Sequence, residues 1–330
     1  MGIGHMHKRA VSLVAALLLA VVHGAEAQQT AKTQVIGILS LSAGPTLRDD
    51  VFECRLRELG WVEGQNVRIE YRRAANQVDR LAALAEELVR LPVDLIVAQS
   101  TPVVQAAQRA TQTIPIVSIS ADPIGNGFVA SLARPGGNIT GVSMMMPEFA
   151  GKHLELLREL SPQLSHVAFL AYGSDRSHRL FLKEGQDAGQ RLGIHIQPVV
   201  VERAEEFESA FAAMRTARAD ALVIQPIFIN TLGLGPQLAE LAASHGLPTI
   251  SNSDPAFAEA GGLMLYGPDP LATYQRVAYY VDRVLKGANP ADLPVEQPQK
   301  FVLMINLKTA MRLGLSVPPL LLFRADKVIE

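Results

Sequence analysis

The sequence is poor in cysteine, in aromatic residues and in excess charge of either sign. Cys54 is the only cysteine among 330 residues, which excludes a disulfide within the chain. Its place between Phe52 and Leu56 on an apolar helical pattern predicts a buried, unreactive thiol. Aromatic residues make up 5% of the chain, and the formal net charge is -2. The basic field and the stacking surfaces that nucleic acids require are therefore missing, and no nucleic-acid partner is expected.

Long apolar runs are missing as well. The run at 10–22 is too short to cross a bilayer with about 30 Å of hydrocarbon. Lys8 and Arg9 precede it, and an Ala-x-Ala motif that ends at Ala27 follows, which is the order of a secretory signal peptide. We expect residues 1–27 to be cleaved off after Ala27 and the mature protein to reach the periplasm. The alternatives are an uncleaved anchor and a buried first helix.

The usual catalytic and nucleotide-binding motifs are absent from the sequence. It has no G-x-x-x-x-G-K-[ST] phosphate loop, no dinucleotide fingerprint and no G-x-S-x-G nucleophile elbow. The histidines after residue 27 form no H-x-x-x-H pair, so each is predicted to lie at the surface or in a turn, and no metal or cofactor is expected. Asp122 and Asp254 could act as an acid and base pair. Each precedes a proline, however, where aspartate commonly caps a turn.

What the sequence contains instead is an alternation of short apolar strands and helical segments. The predicted strands lie at 35–39, 67–71, 95–97, 116–119, 167–170, 194–201, 221–224, 248–250 and 301–305. Strands separated by helices of about 10–15 residues predict βαβ units and parallel sheets. Run 94–99 is similar to 220–225, and run 115–123 is similar to 248–255, in the same order. This repetition predicts an α/β fold with two doubly wound parallel-sheet lobes, in preference to one long sheet.

Small polar residues follow the predicted strands at their carboxyl ends, where ligands bind in open α/β sheets. These candidate site residues are Ser40, Ser42, Ser100, Thr101, Asp122, Tyr172, Asp175, Gln225 and Asn252. A helix predicted from Pro102 onward presents free N–H groups beside Ser100 and Thr101, which suits a carboxylate. Asp122 suits an ammonium group. For any single residue the alternative is capping or turn chemistry, but the set as a whole predicts a ligand cleft.

Several longer motifs make the chain similar to a known family. They are RELGWVEGQN at 57–66, TIPIV at 113–117, SLARPGGNITG at 131–141, YGPD at 266–269, LPVEQP at 293–298 and INLKTA at 305–310. With these motifs the chain resembles the substrate-binding proteins of ABC transporters, of the kind related to tryptophan- and tyrosine-binding proteins. The chain departs from the resemblance at 99–102, where relatives commonly have Gly-Thr-Pro, at 172–177, where they often have an Asn-Pro-rich turn, and at 225–228. The ligand is therefore expected to differ from that of better-known relatives.

The resemblance implies the type I periplasmic-binding-protein fold, in which two Rossmann-like lobes are joined by three chain crossings. The crossings are expected near 143–147, 261–263 and 291–298. Lobe 1 and lobe 2 would then consist, respectively, of 28–143 with about 263–292 and of 144–262 with about 293–330. Closure of the lobes around a ligand would be a hinge motion.

The implied function is solute uptake, with no catalysis. The protein, as a monomer, would bind an amino acid or related small carboxylate and deliver it to an ABC permease driven by its ATPase subunit. Ser100 and Thr101 would hold the carboxylate, and Asp122 an amine. An apolar or stacking wall would be formed by Tyr172, Phe228 or Tyr266. The alternatives are a periplasmic sensor subunit that passes its ligand to a receptor and a secreted α/β hydrolase with an aspartate as acid or base.

Overall fold

The computed structural model describes residues 32–144, 146–252 and 254–330, and the predicted signal peptide lies outside them. Two β-sheets with helices packed on their faces organise this part of the chain. The helices are α1 (Leu47–Glu58), α2 (Leu81–Arg90), α3 (Thr101–Ala110), α4 (Met146–Leu160), α5 (His178–Leu192), α6 (Phe207–Thr216), α7 (Ile227–Asn230), α8 (Gly235–Ser244), α9 (Pro255–Glu259), α10 (Pro270–Leu285), α11 (Leu307–Arg312) and α12 (Pro319–Phe323).

The first sheet contains five parallel strands in the order β2-β1-β3-β4-β5. They are β1 (Gln34–Ser40), β2 (Val67–Arg73), β3 (Leu95–Gln99), β4 (Ile116–Ser120) and β5 (Ile139–Ser143). The central strands are almost wholly buried and apolar because helices cover both faces of the sheet. The strand order reverses between β1 and β3, and ligands bind at the carboxyl ends of the strands at such a switch point.

The second sheet contains seven strands in the order β12-β11-β10-β9-β8-β6-β7. They are β6 (His166–Tyr172), β7 (His195–Val201), β8 (Ala221–Ile224), β9 (Thr249–Ser251), β10 (Met264–Pro268), β11 (Phe301–Asn306) and β12 (Lys327–Ile329). Only the pair β10 and β11 is antiparallel among these described strands. The order reverses between β6 and β8, which gives this sheet a switch point of its own.

Two boundaries between the lobes differ from the sequence expectation. Met264–Pro268 pairs with β9 and β11, so the chain leaves the second sheet after Pro268 and not near 261–263. The next helix, α10, packs against α1 and the first sheet. Leu293 and Glu296 also stay with lobe 1, because the Leu293 carbonyl accepts a hydrogen bond from Thr140 at 2.7 Å and Glu296 pairs with β5. The described part of lobe 1 is therefore 32–143 with 270–296, and that of lobe 2 is 146–268 with 301–330.

The side chain of Cys54 is exposed, which corrects the expectation of a buried thiol. Phe52 and Leu56 are buried on α1, as predicted. Cys54 lies two positions from each of them, and residues two apart point to nearly opposite sides of a helix. Among the described residues, no helix combines the length and the apolar character that a membrane crossing needs.

Candidate functional site

A cleft lies between the two lobes, at the carboxyl ends of strands from both sheets. The predicted residues that line it are Ser40, Ser42, Ser100, Thr101, Asp175 and Asn252. The first four follow β1 and β3 at the switch point of the first sheet, and the last two follow β6 and β9 of the second. The rule that ligand sites form at strand ends therefore places these side chains together, although they are distant in sequence.

Some of the predicted hydroxyls already bind within the protein. Ser40 and Ser42 share a hydrogen bond of 2.9 Å between their Oγ atoms, and Ser42 Oγ also donates to the Gly44 carbonyl at 3.0 Å. Thr101 Oγ1 and Ser177 Oγ lie 2.8 Å apart and join the two lobes through a buried bond. These hydroxyls shape the cleft and connect its walls, while other groups are left to meet a ligand.

The other predicted site residues do not line the cleft. They are Asp122, Tyr172, Gln225, Phe228 and Tyr266. Asp122 Oδ1 accepts a hydrogen bond from the Gly125 backbone at 2.9 Å, so the carboxylate caps its own turn. Tyr172 and Phe228 are buried in the core of lobe 2, with ring centroids 5.7 Å apart. Tyr266 lies on β10 and packs on the rings of Phe149 and Phe301.

Gln225 is fully buried behind the cleft and positions Asp175. Its Oε1 accepts a hydrogen bond from the Tyr172 backbone at 2.7 Å, and its Nε2 donates to Asp175 Oδ2 at 2.8 Å. The Ser177 backbone donates to the other carboxylate oxygen of Asp175 at 3.0 Å. Burial raises the pKa of Asp175, while the bonds from Ser177 and Gln225 act in the opposite direction. A cationic group in the cleft would favour the ionised carboxylate further.

Four of the eight buried side-chain polar atoms that lack a hydrogen-bond partner in the described part of the chain belong to residues that line this cleft. They are Ser100 Oγ, Ser120 Oγ, Asn230 Oδ1 and Asn252 Oδ1. Ser120 and Asn252 are 1% and 4% exposed. Such atoms are rare in folded proteins because each costs free energy unless a partner, including a bound molecule, satisfies it. Ser120 and Asn230 were not among the predicted site residues, although Ser120 directly follows the predicted strand at 116–119 and so carried the same signal as the other residues at strand ends.

Bonds between the lobes hold the cleft closed in this conformation. The Arg48 guanidinium, from lobe 1, donates to Asp254 Oδ2 and to the Asn230 carbonyl of lobe 2. Asn76 Nδ2 donates to the Leu232 carbonyl at 3.1 Å. With the bond between Thr101 and Ser177, these contacts join the lobes at separate points. Arg48 had no signal in the sequence analysis, because it lies inside α1 and not at a strand end.

The remaining wall of the cleft is largely aliphatic. Ile119, Met144 and Ile227 line it together with Tyr274 of α10. Tyr274 donates its hydroxyl proton to Gln99 Oε1 at 2.7 Å, and burial raises the pKa of this phenol, so it stays neutral. Within the described ranges, no three His, Cys, Asp or Glu side chains are grouped as a metal site. The cleft therefore offers one apolar wall and two groups of hydrogen-bonding atoms.

Comparison with known proteins gives a consistent set of similarities. Residues 33–329 match the family described as "ABC transporter substrate binding protein". A tyrosine-binding protein of Clostridioides difficile (strain R20291) is 26% identical over 293 residues, 86% of this chain and 82% of that protein. The structure of an ABC domain from Streptococcus pneumonia in complex with L-Trp is 27% identical with a TM-score of 0.81, and the match covers 90% of this chain and 100% of that one.

A conserved domain protein of Vibrio cholerae has a similar fold. It is 24% identical, with a TM-score of 0.83 over 90% of this chain and 100% of that chain. These matches extend over both lobes and confirm the predicted two-lobed α/β fold of type I periplasmic binding proteins. The fold and the position of the cleft thus agree with what the residues at the strand ends indicate.

Proposed function

Because the chain belongs to the ABC transporter substrate-binding protein family, we propose that it binds an amino acid between its lobes and delivers it to a membrane permease. The observation that carries the choice of ligand is the set of buried, unpartnered polar atoms on both walls of the cleft. Hydroxyl groups come from lobe 1, and amide oxygens come from lobe 2. An amino acid has matching groups at one end, because its carboxylate accepts hydrogen bonds and its ammonium group donates them.

The carboxylate would bind to lobe 1. Ser100 and Ser120 offer hydroxyl donors there, and α3 begins beside them at Thr101. The first N–H groups of a helix have no partner within it, and their partial positive charge favours an anion. This is the role expected from the sequence for Ser100 and for the start of α3. The Thr101 hydroxyl itself would act by joining the lobes around the bound molecule.

The ammonium group would bind to lobe 2. Asn230 Oδ1 and Asn252 Oδ1 are acceptors without protein partners, and Asp175 supplies a buried carboxylate on the same wall. An ammonium group satisfies such a set with its N–H donors and compensates the cost of a buried negative charge. Asp175 therefore replaces Asp122 in the proposal, since Asp122 is engaged in its own turn.

The side chain of the amino acid would contact the apolar wall around Ile119, Met144, Ile227 and Tyr274. Similar proteins bind tyrosine or were crystallised with L-Trp, so aromatic amino acids are the first candidates. The family acts outside the cytoplasm, and a signal peptide at 1–27 would direct this chain to the periplasm. There it would bind as a monomer, without a catalytic step, and meet a permease with its ATPase subunit.

A thermal-shift screen of the purified protein with the twenty protein amino acids tests the ligand class. We expect at least one amino acid, with L-tryptophan and L-tyrosine as first candidates, to raise the melting temperature. A ligand at 100 times its Kd stabilises the folded state by about 2.7 kcal/mol. The analogues of the best amino acid that lack either the amine or the carboxylate should bind at least about tenfold more weakly. Equal binding of such an analogue, or no shift with any amino acid, contradicts the proposal.

A pair of serines on one strand provides a matched control. Ser120→Ala removes a hydroxyl that has no protein partner, so we expect weaker ligand binding and little change in stability without ligand. Ser118→Ala removes a hydroxyl that donates to the Thr140 carbonyl at 3.0 Å, so it should lower stability by about 1 kcal/mol and leave affinity unchanged. Calorimetric titration with the best amino acid separates the two effects.

A further inference from the structure

Two histidines lie opposite each other at the amino ends of β6 and β7, at the end of the second sheet away from the ligand cleft. His166 and His195 are paired in the register of these parallel strands. Their ring centroids lie 4.7 Å apart, and the rings are tilted by 58°, so they are not stacked face to face. The expectation of no metal rested on local spacings such as H-x-x-x-H, and such spacings do not report a pair that forms between strands.

Two polar atoms beside this pair lack partners. Nε2 of His166 and Oε1 of Gln197 are both buried, and neither has a hydrogen-bond partner among the described residues. Gln197 comes two positions after His195 on β7, and residues two apart on a strand project from the same face of the sheet. An imidazole nitrogen and an amide oxygen are therefore left unpartnered next to a second, exposed imidazole, and each can give a lone pair to a cation.

The neighbouring carboxylate is engaged in holding the start of β6. Asp220 Oδ2 accepts hydrogen bonds from the Ser165 backbone at 2.9 Å, from Ser165 Oγ at 3.0 Å and from the His166 backbone at 2.9 Å. Asp220 is therefore not counted as a ligand, but its negative charge favours a cation beside His166.

The spacing of the two rings fits an ion of the zinc type. A zinc–nitrogen distance of about 2.1 Å and a tetrahedral angle place the centroids of two ligating imidazoles roughly 5 Å apart. The observed separation of 4.7 Å is close to this value. Imidazole nitrogens suit zinc, nickel and copper ions, whereas calcium and magnesium ions prefer sets of oxygen ligands.

We propose that His166 and His195, with Gln197 as a third ligand, form a binding site for a divalent transition-metal ion such as Zn²⁺. The ion joins β7, at the edge of the second sheet, to β6 and so stabilises lobe 2. Because β6 runs from His166 to Tyr172, the site lies roughly 20 Å from the strand ends at the cleft. The ion therefore binds independently of an amino acid, and the proposal does not rest on the proposed function.

Calorimetric titration with zinc chloride, after treatment of the purified protein with a chelator, tests the site. We expect the wild type to bind Zn²⁺ saturably and to gain about 2 °C or more in melting temperature. His166→Gln and His195→Gln should each weaken zinc binding at least about tenfold, because each removes a direct ligand. Gln197→Glu should strengthen it, because a carboxylate is an established zinc ligand and adds a negative charge.

His245→Gln is the matched control. His245 is also half-buried and has a ring nitrogen without a partner, but its ring packs on Phe211 and not on a second histidine. This variant should bind zinc as the wild type does. Because His195 is exposed, His195→Gln should melt like the wild type without metal, so a loss of zinc binding cannot be ascribed to unfolding.

Three results would overturn the metal site. They are no saturable zinc binding by the wild type, wild-type zinc affinity in both His166→Gln and His195→Gln, and binding of Ca²⁺ or Mg²⁺ as tight as that of Zn²⁺. If Gln197→Glu leaves zinc affinity unchanged, the assignment of Gln197 as the third ligand is wrong.

Discussion

At the scale of single residues, His153 is buried, whereas a surface or turn position was predicted for it. It is 2% exposed on α4, although the sequence analysis predicted surface or turn histidines. Its position three residues after the buried Ala150 and four before the buried Leu157 is the spacing of one helix face, and this signal was available in the sequence. Nε2 donates to the Tyr266 carbonyl at 2.8 Å, and burial lowers the pKa of His153 to about 4.

The buried imidazole should make stability depend on pH. Its folded-state pKa lies below the ordinary value of 6.5, so the unfolded chain takes up a proton before the folded protein does. The contribution of His153 to stability is therefore complete above about pH 7 and declines as the pH falls towards 4. Acidification from pH 7 to pH 5 should lower the free energy of unfolding by about 2 kcal/mol through this one histidine.

Urea denaturation of wild type and His153→Gln at several pH values measures this effect. The variant should be less stable at pH 7 but should lose less stability on acidification. His195→Gln, which changes an exposed histidine, serves as the control and should follow the wild-type slope. If the free energy of unfolding falls with pH equally for the wild type and His153→Gln, the buried ring does not contribute to the pH dependence of stability.

The candidate site could be predicted from the sequence only in part. Ser100, Asp175 and Asn252 were found because a polar residue after an apolar strand is a visible pattern, and the structure places all three on the cleft wall. The same pattern selected Asp122 and Gln225, which the structure engages in a turn and in a buried bond to Asp175. Whether a polar group faces a ligand or hydrogen-bonds to the protein itself depends on the geometry of the loop, and this geometry cannot be read from a single sequence.

At the scale of elements, β5 is an instructive omission from the predicted strands. Its residues, Ile139–Ser143, are buried throughout, but Gly141 in the middle weakens the strand pattern. The glycine has a φ of 134°, and a Cβ at this position would lie 2.1 Å from the carbonyl oxygen of Ser118 on β4. Gly141, which weakens the strand pattern in the sequence, is therefore the residue that allows β5 to pair closely with β4. The apolar strands with no such interruption, such as β3, were predicted correctly.

Gly141→Ala should consequently disrupt the edge of the first sheet next to the third crossing. The clash with a backbone atom and the strained φ together predict a loss of about 2–5 kcal/mol in the free energy of unfolding. Gly137→Ala is the matched control, since its Cβ would meet nothing within 4 Å. Thermal or urea denaturation measures the stability of both variants. If Gly141→Ala is as stable as Gly137→Ala, the role given to Gly141 is wrong.

At the scale of the whole molecule, two lobes were predicted from repeated order, but the second crossing was expected near 261–263 and lies after Pro268. Met264–Pro268 is short and contains Gly267, so it did not stand out as a strand, yet it lies inside the second sheet. The helix after it returns to lobe 1, where Trp61 Nε1 donates to Asp282 of α10 at 2.9 Å. Which sheet receives a segment depends on long-range pairing, and local periodicity does not report it.

If the lobes move as bodies about these crossings, as expected for the fold, bonds between the lobes favour the closed state over the open one. Arg48 and Asp254 form such a bond, and both side chains are mostly buried, at 17% and 13% exposed. Asp254 is the better site for a test, because it does not line the central cleft, whereas Arg48 does. Asp254 Oδ1 also caps α9 through the Ala256 backbone at 3.0 Å, and asparagine can keep that cap.

Asp254→Asn should therefore weaken closure without changing the ligand contacts. We expect affinity for the best amino acid to fall about tenfold, mainly through faster dissociation, because the closed state loses a charge-assisted bond. In small-angle X-ray scattering at saturating ligand, the variant and the wild type should have the same compact, closed form. At partial saturation, a larger fraction of the variant than of the wild type should be in the extended, open form.

Arg72→Ala, which breaks an exposed pair with Glu87 inside lobe 1, is the control and should leave dissociation unchanged. If both variants release the amino acid at the wild-type rate, the bond between Arg48 and Asp254 does not hold the lobes together, and closure rests on the contacts of Thr101 and Asn76.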